Sequence, residues 1–219
     1  MKKPTLYQFA VSCSAEKVRR ALNHKKVEWQ TVEVNWFDRQ NLIDVSGQKL
    51  VPIFVHNGNT VGPSSIEVLD FIEDNFDGPS IYPDDSRALC HMIDSYVEGT
   101  LFRMGLEIFF PAAAAVFKSA AFNRDVIERM GKGPSELEAL LPQNGEKYER
   151  HLAIWDQHFT NRKYFLGDRE SAADFILISN YWFNAINPKF KEMVDSMGFS
   201  NVQRWARLMY ETWETQLPF

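Results

Sequence analysis

Cysteine is scarce: Cys13 and Cys90 are the only two in 219 residues. Two thiols build no disulfide framework and match no zinc-ligand spacing, and so few fit a reducing compartment. Positive charge is thin and scattered too. With 24 Lys and Arg against 29 Asp and Glu the formal charge is −5, and no basic run forms the stripe that tracks a nucleic-acid backbone. No apolar run approaches the ~20 residues of a membrane helix; the nearest, Phe109 to Phe117 (FFPAAAAVF), is too short. The opening MKKPTLYQF turns polar too soon for a secretion signal. Cytoplasm is therefore the expected location. Neither a glycine-rich phosphate loop nor a nucleophile elbow occurs. His151 and His158 are seven apart with no third ligand, so no metal is expected.

Apolar residues are plentiful, at 45%, which supports real cores and excludes wholesale disorder. The 17 Phe, 6 Trp and 7 Tyr fit either a dense core or an apolar pocket. Pro4 to Phe9 reads as a short strand, followed by a helix over AEKVRRALNHKK. Val18, Ala21 and Leu22 share one face of that helix, with Lys and Arg elsewhere. Val27 to Val34 alternates as a half-buried strand does. Asn35 to Lys49 is polar and irregular, with room for one helical turn. VPIFVHNGNTV reads as a hairpin around Asn57-Gly58, and Ser64 or Ser65 caps the helix SIEVLDFIEDNF.

A helix between the first two strands implies a parallel pair, and the hairpin adds antiparallel strands. Residues 1–79 are thus expected to form one α/β unit and GPSIYPDD a linker. From 86 to 219 only helical periodicity appears. Long helices are expected over Ser86 to Ala120, kinked or interrupted at Pro111, and over Glu136 to Thr160, with Ser135 and Glu138 as a capping box. A second box is expected from Ser171 and Asp174 before an apolar run, and NVQRWARLMYETWETQL closes the chain as an amphipathic helix.

Several stretches, in order and in spacing, resemble the soluble glutathione transferase superfamily. They are SCSAEKVRRAL, similar to the family's Ser- or Cys-containing loop and somewhat like the zeta class; KLVP at Lys49 to Pro52; Ser65 with IEVLDFIEDNF; the linker SIYPDDSR; and FLGD with Ser171 to Asp174. The resemblance implies a thioredoxin-like α/β domain of βαβαββα order followed by an all-α helical bundle. It also implies glutathione as co-substrate, a small electrophile as second substrate and a homodimer.

Glutathione chemistry needs the tripeptide's thiol as thiolate. A free thiol titrates near ~8.5, and a donated hydrogen bond together with positive potential lowers that value. A hydroxyl or thiol just before a helix N-terminus is a physically sensible place for both. By the resemblance Ser12 occupies the catalytic position and Cys13 the next. Ser12 read alone is a plain N-cap. If the loop register shifts by one, Cys13 becomes the reactive group and the chemistry moves toward thiol–disulfide exchange. Tyr7 is set aside, since Phe9 stands where tyrosine-type relatives place their tyrosine.

For the tripeptide, the resemblance assigns Val51 to backbone pairing before a cis Pro52, Lys49 to the glycyl carboxylate, and Ser65, with Ser64, to the γ-glutamyl end. One departure stands out: Ser64 replaces the acidic residue that usually pairs with the γ-glutamyl ammonium, a task left to Glu67 or to a second subunit. It keeps open a non-catalytic interaction scaffold on the same fold. The co-substrate pocket falls, by resemblance, to Tyr96, Phe102, Arg103, Leu106 and Phe110. Each is equally readable as a bundle-core residue, and Arg103 as a solvated cation.

Overall fold

The computed structural model describes residues 3–211. They form two compact units: residues 3–94 with Arg169–Ser179, and Ser95–Asp168 with residues 180–211.

The first unit begins with β1 (Thr5–Gln8), α1 (Cys13–His24), β2 (Gln30–Glu33), α2 (Gln40–Ser46), β3 (Ile53–His56), β4 (Asn59–Val61) and α3 (Ser65–Asn75). The sheet order is β2-β1-β3-β4. β1 and β2 are parallel, with Thr5 opposite Gln30, and β3 is antiparallel to both β1 and β4. Asn57 and Gly58 both have positive φ (48° and 82°), the turn that matches strand twist in a two-residue hairpin. The irregular stretch holds α2, which ends at Gly47 in left-handed backbone.

Leu6, Val18, Ala21, Leu22, Phe54, Val68, Leu69 and Ile72 have no exposure, and α1 packs on α3. Each Leu, Val, Ile or Phe among them contributes ~1.5–3 kcal/mol on burial. The helical periodicity places Lys and Arg of α1 away from this core, yet Glu16, Lys17, Arg19 and Arg20 are buried as well. They are paired: Lys17 with Asp94 at 2.7 Å, and Arg19 and Arg20 with Glu16 at 2.8 Å each. Buried charges need such partners, because an unpaired one costs several kcal/mol.

The remaining helices are α4 (Arg87–Tyr96), α5 (Phe102–Phe117), α6 (Ala120–Met130), α7 (Pro134–Glu138), α8 (Leu141–His158), α9 (Ala172–Ala185), α10 (Pro188–Ser196) and α11 (Ser200–Glu211). Pro111 does not interrupt α5; a single π turn at Val97–Leu101 joins α4 to α5 instead. The helical run Arg87–Phe117 is, by length and composition alone, apolar enough to cross a membrane, because its Ile, Leu, Met and Phe are spread rather than contiguous. Leu101, Ile108, Phe109 and Phe110 pack inside the protein, as in a core helix.

The expected helix from Glu136 is two helices, broken at Ala139 and Leu140, and α6 lies between the two expected long helices. The capping interaction sits two residues earlier than Ser135–Glu138. The Gly133 N–H donates to the Glu136 carboxylate at 2.8 Å, with Pro134 opening the helix, where its missing N–H costs nothing. The second box is present. The hydroxyl and N–H of Ser171 both donate to Asp174 Oδ2, at 2.9 and 3.1 Å, and neither residue is exposed. The end of the amphipathic NVQRWARLMYETWETQL, from residue 212, lies outside the described residues.

Candidate functional site

Register brings the candidate residues of the first unit to one end of the sheet. β1 runs toward Gln8, and the Phe9–Ser12 turn, closed by Ser12 N–H to Phe9 C=O at 2.9 Å, delivers Ser12 to the start of α1. β3 starts opposite Tyr7, so Val51 and Pro52, just before it, lie at that same end. The Val51–Pro52 bond is cis. β4 pairs Val61 with Phe54 and leads into Gly62, which sits against Pro52 and hands the chain to Ser64 and α3.

Ser12 is the N-cap of α1. Its Oγ accepts from Ala15 N–H at 3.2 Å, and its backbone is extended. Accepting there leaves the hydroxyl proton free to be donated outward, beside the positive end of the helix dipole. Cys13 is the first residue of the helix and only 4% exposed.

The backbone N–H and C=O of Val51 make no hydrogen bond among the described residues. They are thus open to an added extended strand. The loop before them is braced by Gln48, whose amide accepts from Leu50 N–H at 2.5 Å and donates to Leu50 C=O at 2.8 Å. Ser64 is the N-cap of α3 yet makes no side-chain cap bond, and Ser65 is 6% exposed. Neither hydroxyl has a hydrogen-bond partner among the described residues. Unused donors at a helix N-terminus are suited to a carboxylate. The nearest acid along the helix is the exposed Glu67 in its first turn.

Lys49 is exposed. The cation built into this loop is Arg39, which sequence reasoning passed over. Its Nη1 donates to Lys49 C=O at 2.9 Å, its Nε to Trp36 C=O at 3.2 Å, and its guanidinium lies 5.0 Å from the Phe9 ring centre. An arginine ten residues from its partner, in a polar stretch, carries no periodic signal that would single it out.

The five residues assigned to the co-substrate pocket have separate environments in the second unit. The Tyr96 hydroxyl is 2.7 Å from His151 Nδ1, and burial pushes its ionisation up and that of His151 down. His158 is engaged elsewhere, with Nε2 2.7 Å from Phe165 C=O. Arg103 is exposed and donates to Met130 C=O, satisfying the end of α6. Phe110, 1% exposed, packs edge-on to Phe122. Phe102 and Leu106 are half-buried. Among the described residues no group of three or more His, Cys, Asp or Glu is placed to hold a metal ion.

A four-stranded mixed sheet whose cis-proline loop faces a helix N-terminus, continued by a run of helices, defines a thioredoxin-like unit with an all-helical extension. A family model described as "Glutathione S-transferase, N-terminal domain" matches residues 6–80, and "Glutathione S-transferase, C-terminal domain" matches residues 109–212. A "Probable glutathione S-transferase" of Solanum tuberosum is 30% identical over 166 residues, covering 74% of this chain and 64% of its own length. One from Nicotiana tabacum is 27% identical over 206 residues, covering 91% and 80%. Among solved structures, poplar glutathione transferase F1 superposes with a TM-score of 0.71 at 18% identity, covering 98% of this chain and 96% of its own. Rice GST1 in complex with glutathione gives 0.73 at 20%, covering 100% and 92%. The chain belongs to the glutathione S-transferase family.

Proposed function

We propose that the protein is a glutathione-dependent transferase of the serine type. One observation carries the reading: the hydroxyl of Ser12, the unpaired backbone of Val51 before cis Pro52, and the unbonded hydroxyls of Ser64 and Ser65 all converge on one end of the sheet. Ser12 donates to the glutathione sulfur and holds it as thiolate. Val51 pairs with the cysteinyl backbone. Ser65 and Ser64 take the γ-glutamyl carboxylate, and Lys49 the glycyl carboxylate. With Ser64 in place of an acid, the γ-glutamyl ammonium falls to Glu67. The thiolate then attacks an electrophilic carbon: a C–S bond forms, and the leaving group departs with its electron pair. That co-substrate is a small, apolar electrophile.

Residues 1–79 act as the glutathione-binding domain and 86–219 as the helical domain of a cytoplasmic homodimer. The exposed Phe37, Leu50, Leu89 and Met92 of the first unit are the apolar side chains available to a second copy.

The test is the ultraviolet thiolate band on adding glutathione to the protein, to Ser12→Ala and to Cys13→Ala. The reading expects the band to vanish with Ser12→Ala and to persist with Cys13→Ala. The opposite pattern selects Cys13-based thiol transfer. A protein that binds no glutathione, yet captures a defined partner, is a scaffold.

A further inference from the structure

Ala10 sits in the Phe9–Ser12 turn, two residues ahead of Ser12, and both of its backbone polar groups are taken by side chains. Its N–H donates to Glu33 Oε1 at 2.7 Å, and its C=O accepts from Arg19 Nη2 at 3.1 Å. Gln8 closes the ring. Its amide oxygen accepts from Arg19 Nη1 at 2.6 Å, and its amide nitrogen donates to Glu33 Oε2 at 3.4 Å. Arg19 is held from behind by Glu16, which accepts from Arg19 Nε at 2.8 Å, and is 8% exposed. Four residues from β1, the turn, α1 and the end of β2 therefore form one closed hydrogen-bonded loop. The parallel register, with Gln8 opposite Glu33, brings its two ends together.

A three-residue approach from a strand to a helix N-cap has few constraints of its own. The turn supplies one backbone bond, at Ser12 N–H. The direction in which Ser12 presents its hydroxyl depends on the peptide planes around Ala10, which the two charge-assisted bonds fix. A hydrogen bond to sulfur weakens steeply once its angle or length drifts, so sub-ångström control of this turn translates into thiolate stability.

We propose that Arg19 and Glu33 are positioning residues for Ser12, clamping Ala10 from its two sides so that the hydroxyl meets the glutathione sulfur. This inference rests on the serine-type reading above. Neither residue touches glutathione; both act through the Phe9–Ser12 turn. Arg19 is irreplaceable by Lys here, since a single ammonium cannot reach Gln8, Ala10 and Glu16 with separate donors. Glu33 is replaceable in part by Gln, whose carbonyl oxygen still accepts from Ala10 N–H.

The experiment is the thiol titration of bound glutathione, followed by the ultraviolet thiolate band, in the full-length protein and in Glu33→Ala, Glu33→Gln and Arg19→Lys, with glutathione affinity measured alongside. Glu33 is exposed, so its two variants fold whatever becomes of the buried Arg19. The inference expects Glu33→Ala to raise the thiol pKa by about one unit, a roughly tenfold loss of thiolate on the acid side of the titration. Glutathione affinity should change less than about threefold, Glu33→Gln should stay near the parent, and Arg19→Lys should resemble Glu33→Ala. If the Glu33 charge instead acts directly on the sulfur, both Glu33 variants lower the thiol pKa, and the inference is overturned. Equal pKa values across the Glu33 series, with only a lower melting temperature, overturn it as well. A parent protein that binds glutathione without any thiolate band sinks the serine-type reading itself, and this inference with it.

Discussion

A Cβ atom placed on Gly62 would lie 2.2 Å from the carbonyl oxygen of Pro52, and Gly62 has a φ of +127°. Only glycine fits this contact, which presses the entry to α3 against the cis-proline loop. Gly62→Ala is expected to lower stability by about 3 kcal/mol through strain and clash, read as a shift in urea midpoint. It is also expected to weaken glutathione binding more than about tenfold, because Val51 and Ser65 move apart. Unchanged affinity would separate the glycine from the site.

Ser12→Ala removes both an N-cap and a thiolate donor, and the two effects have different readouts. Loss of the cap lowers stability by ~1 kcal/mol. Loss of the donor sends the bound thiol pKa back toward ~8.5 and lowers kcat/KM at pH 7 by about 100-fold. The thiolate is the reactive form, so activity rises with pH through the bound pKa. The variant's deficit therefore shrinks as pH rises past 8.5. A deficit independent of pH would contradict the role given to Ser12.

Burial pushes the Cys90 thiol up to about 11, and Cys13 is 4% exposed. Alkylation by iodoacetamide at pH 8 is expected to be at least about 100-fold slower for both cysteines in the folded protein than in denaturant. The raised thiol also gives a sign for the alkaline limb. Cys90 contributes stability below pH 9.0 that is lost as pH climbs toward 11, and Cys90→Ala flattens that loss. Rapid labelling of Cys13 with full loss of activity would transfer the chemistry to that thiol.

Much of this fold is legible from residue patterns, and the failures have physical causes. The Asn57-Gly58 hairpin and the Ser171–Asp174 box announce themselves because their partners are within three residues of each other. The buried cations of α1 do not. A helical wheel assigns Lys17 and Arg19 to solvent, and their burial is legible only once Asp94, 77 residues from Lys17, and the Ala10 carbonyl are known to face them. Arg39 and Gly62 carry no local signal for the same reason, since their partners Lys49 and Pro52 become neighbours only through the loop and the sheet. Ser12, Val51, Pro52 and Ser65 are legible only through resemblance, and residue patterns alone do not reveal how the strand register draws them to one end of the sheet.

Glu73 provides a pH test at the other end of α3. Burial alone would raise its pKa, but hydrogen bonds from Lys25 at 2.8 Å, from the Ser80 hydroxyl and from Ile81 N–H outweigh that and hold it below 4.5. Its contribution to stability is complete above pH 4.5 and is lost as pH falls through the lowered value. Glu73→Gln is expected to be less stable than the parent at pH 7, with a gap that closes on acidification below 4.5. A gap of constant size down to pH 3 would mean that the carboxylate's charge plays no part.

The central claim is that one end of the sheet is a glutathione site, and calorimetric titration of glutathione into the protein and into Ser65→Ala tests it most directly. The account predicts parent binding in the micromolar-to-millimolar range, weakened about tenfold by loss of the hydroxyl at the start of α3. No heat of binding at millimolar glutathione, or identical affinities for the two proteins, would contradict it.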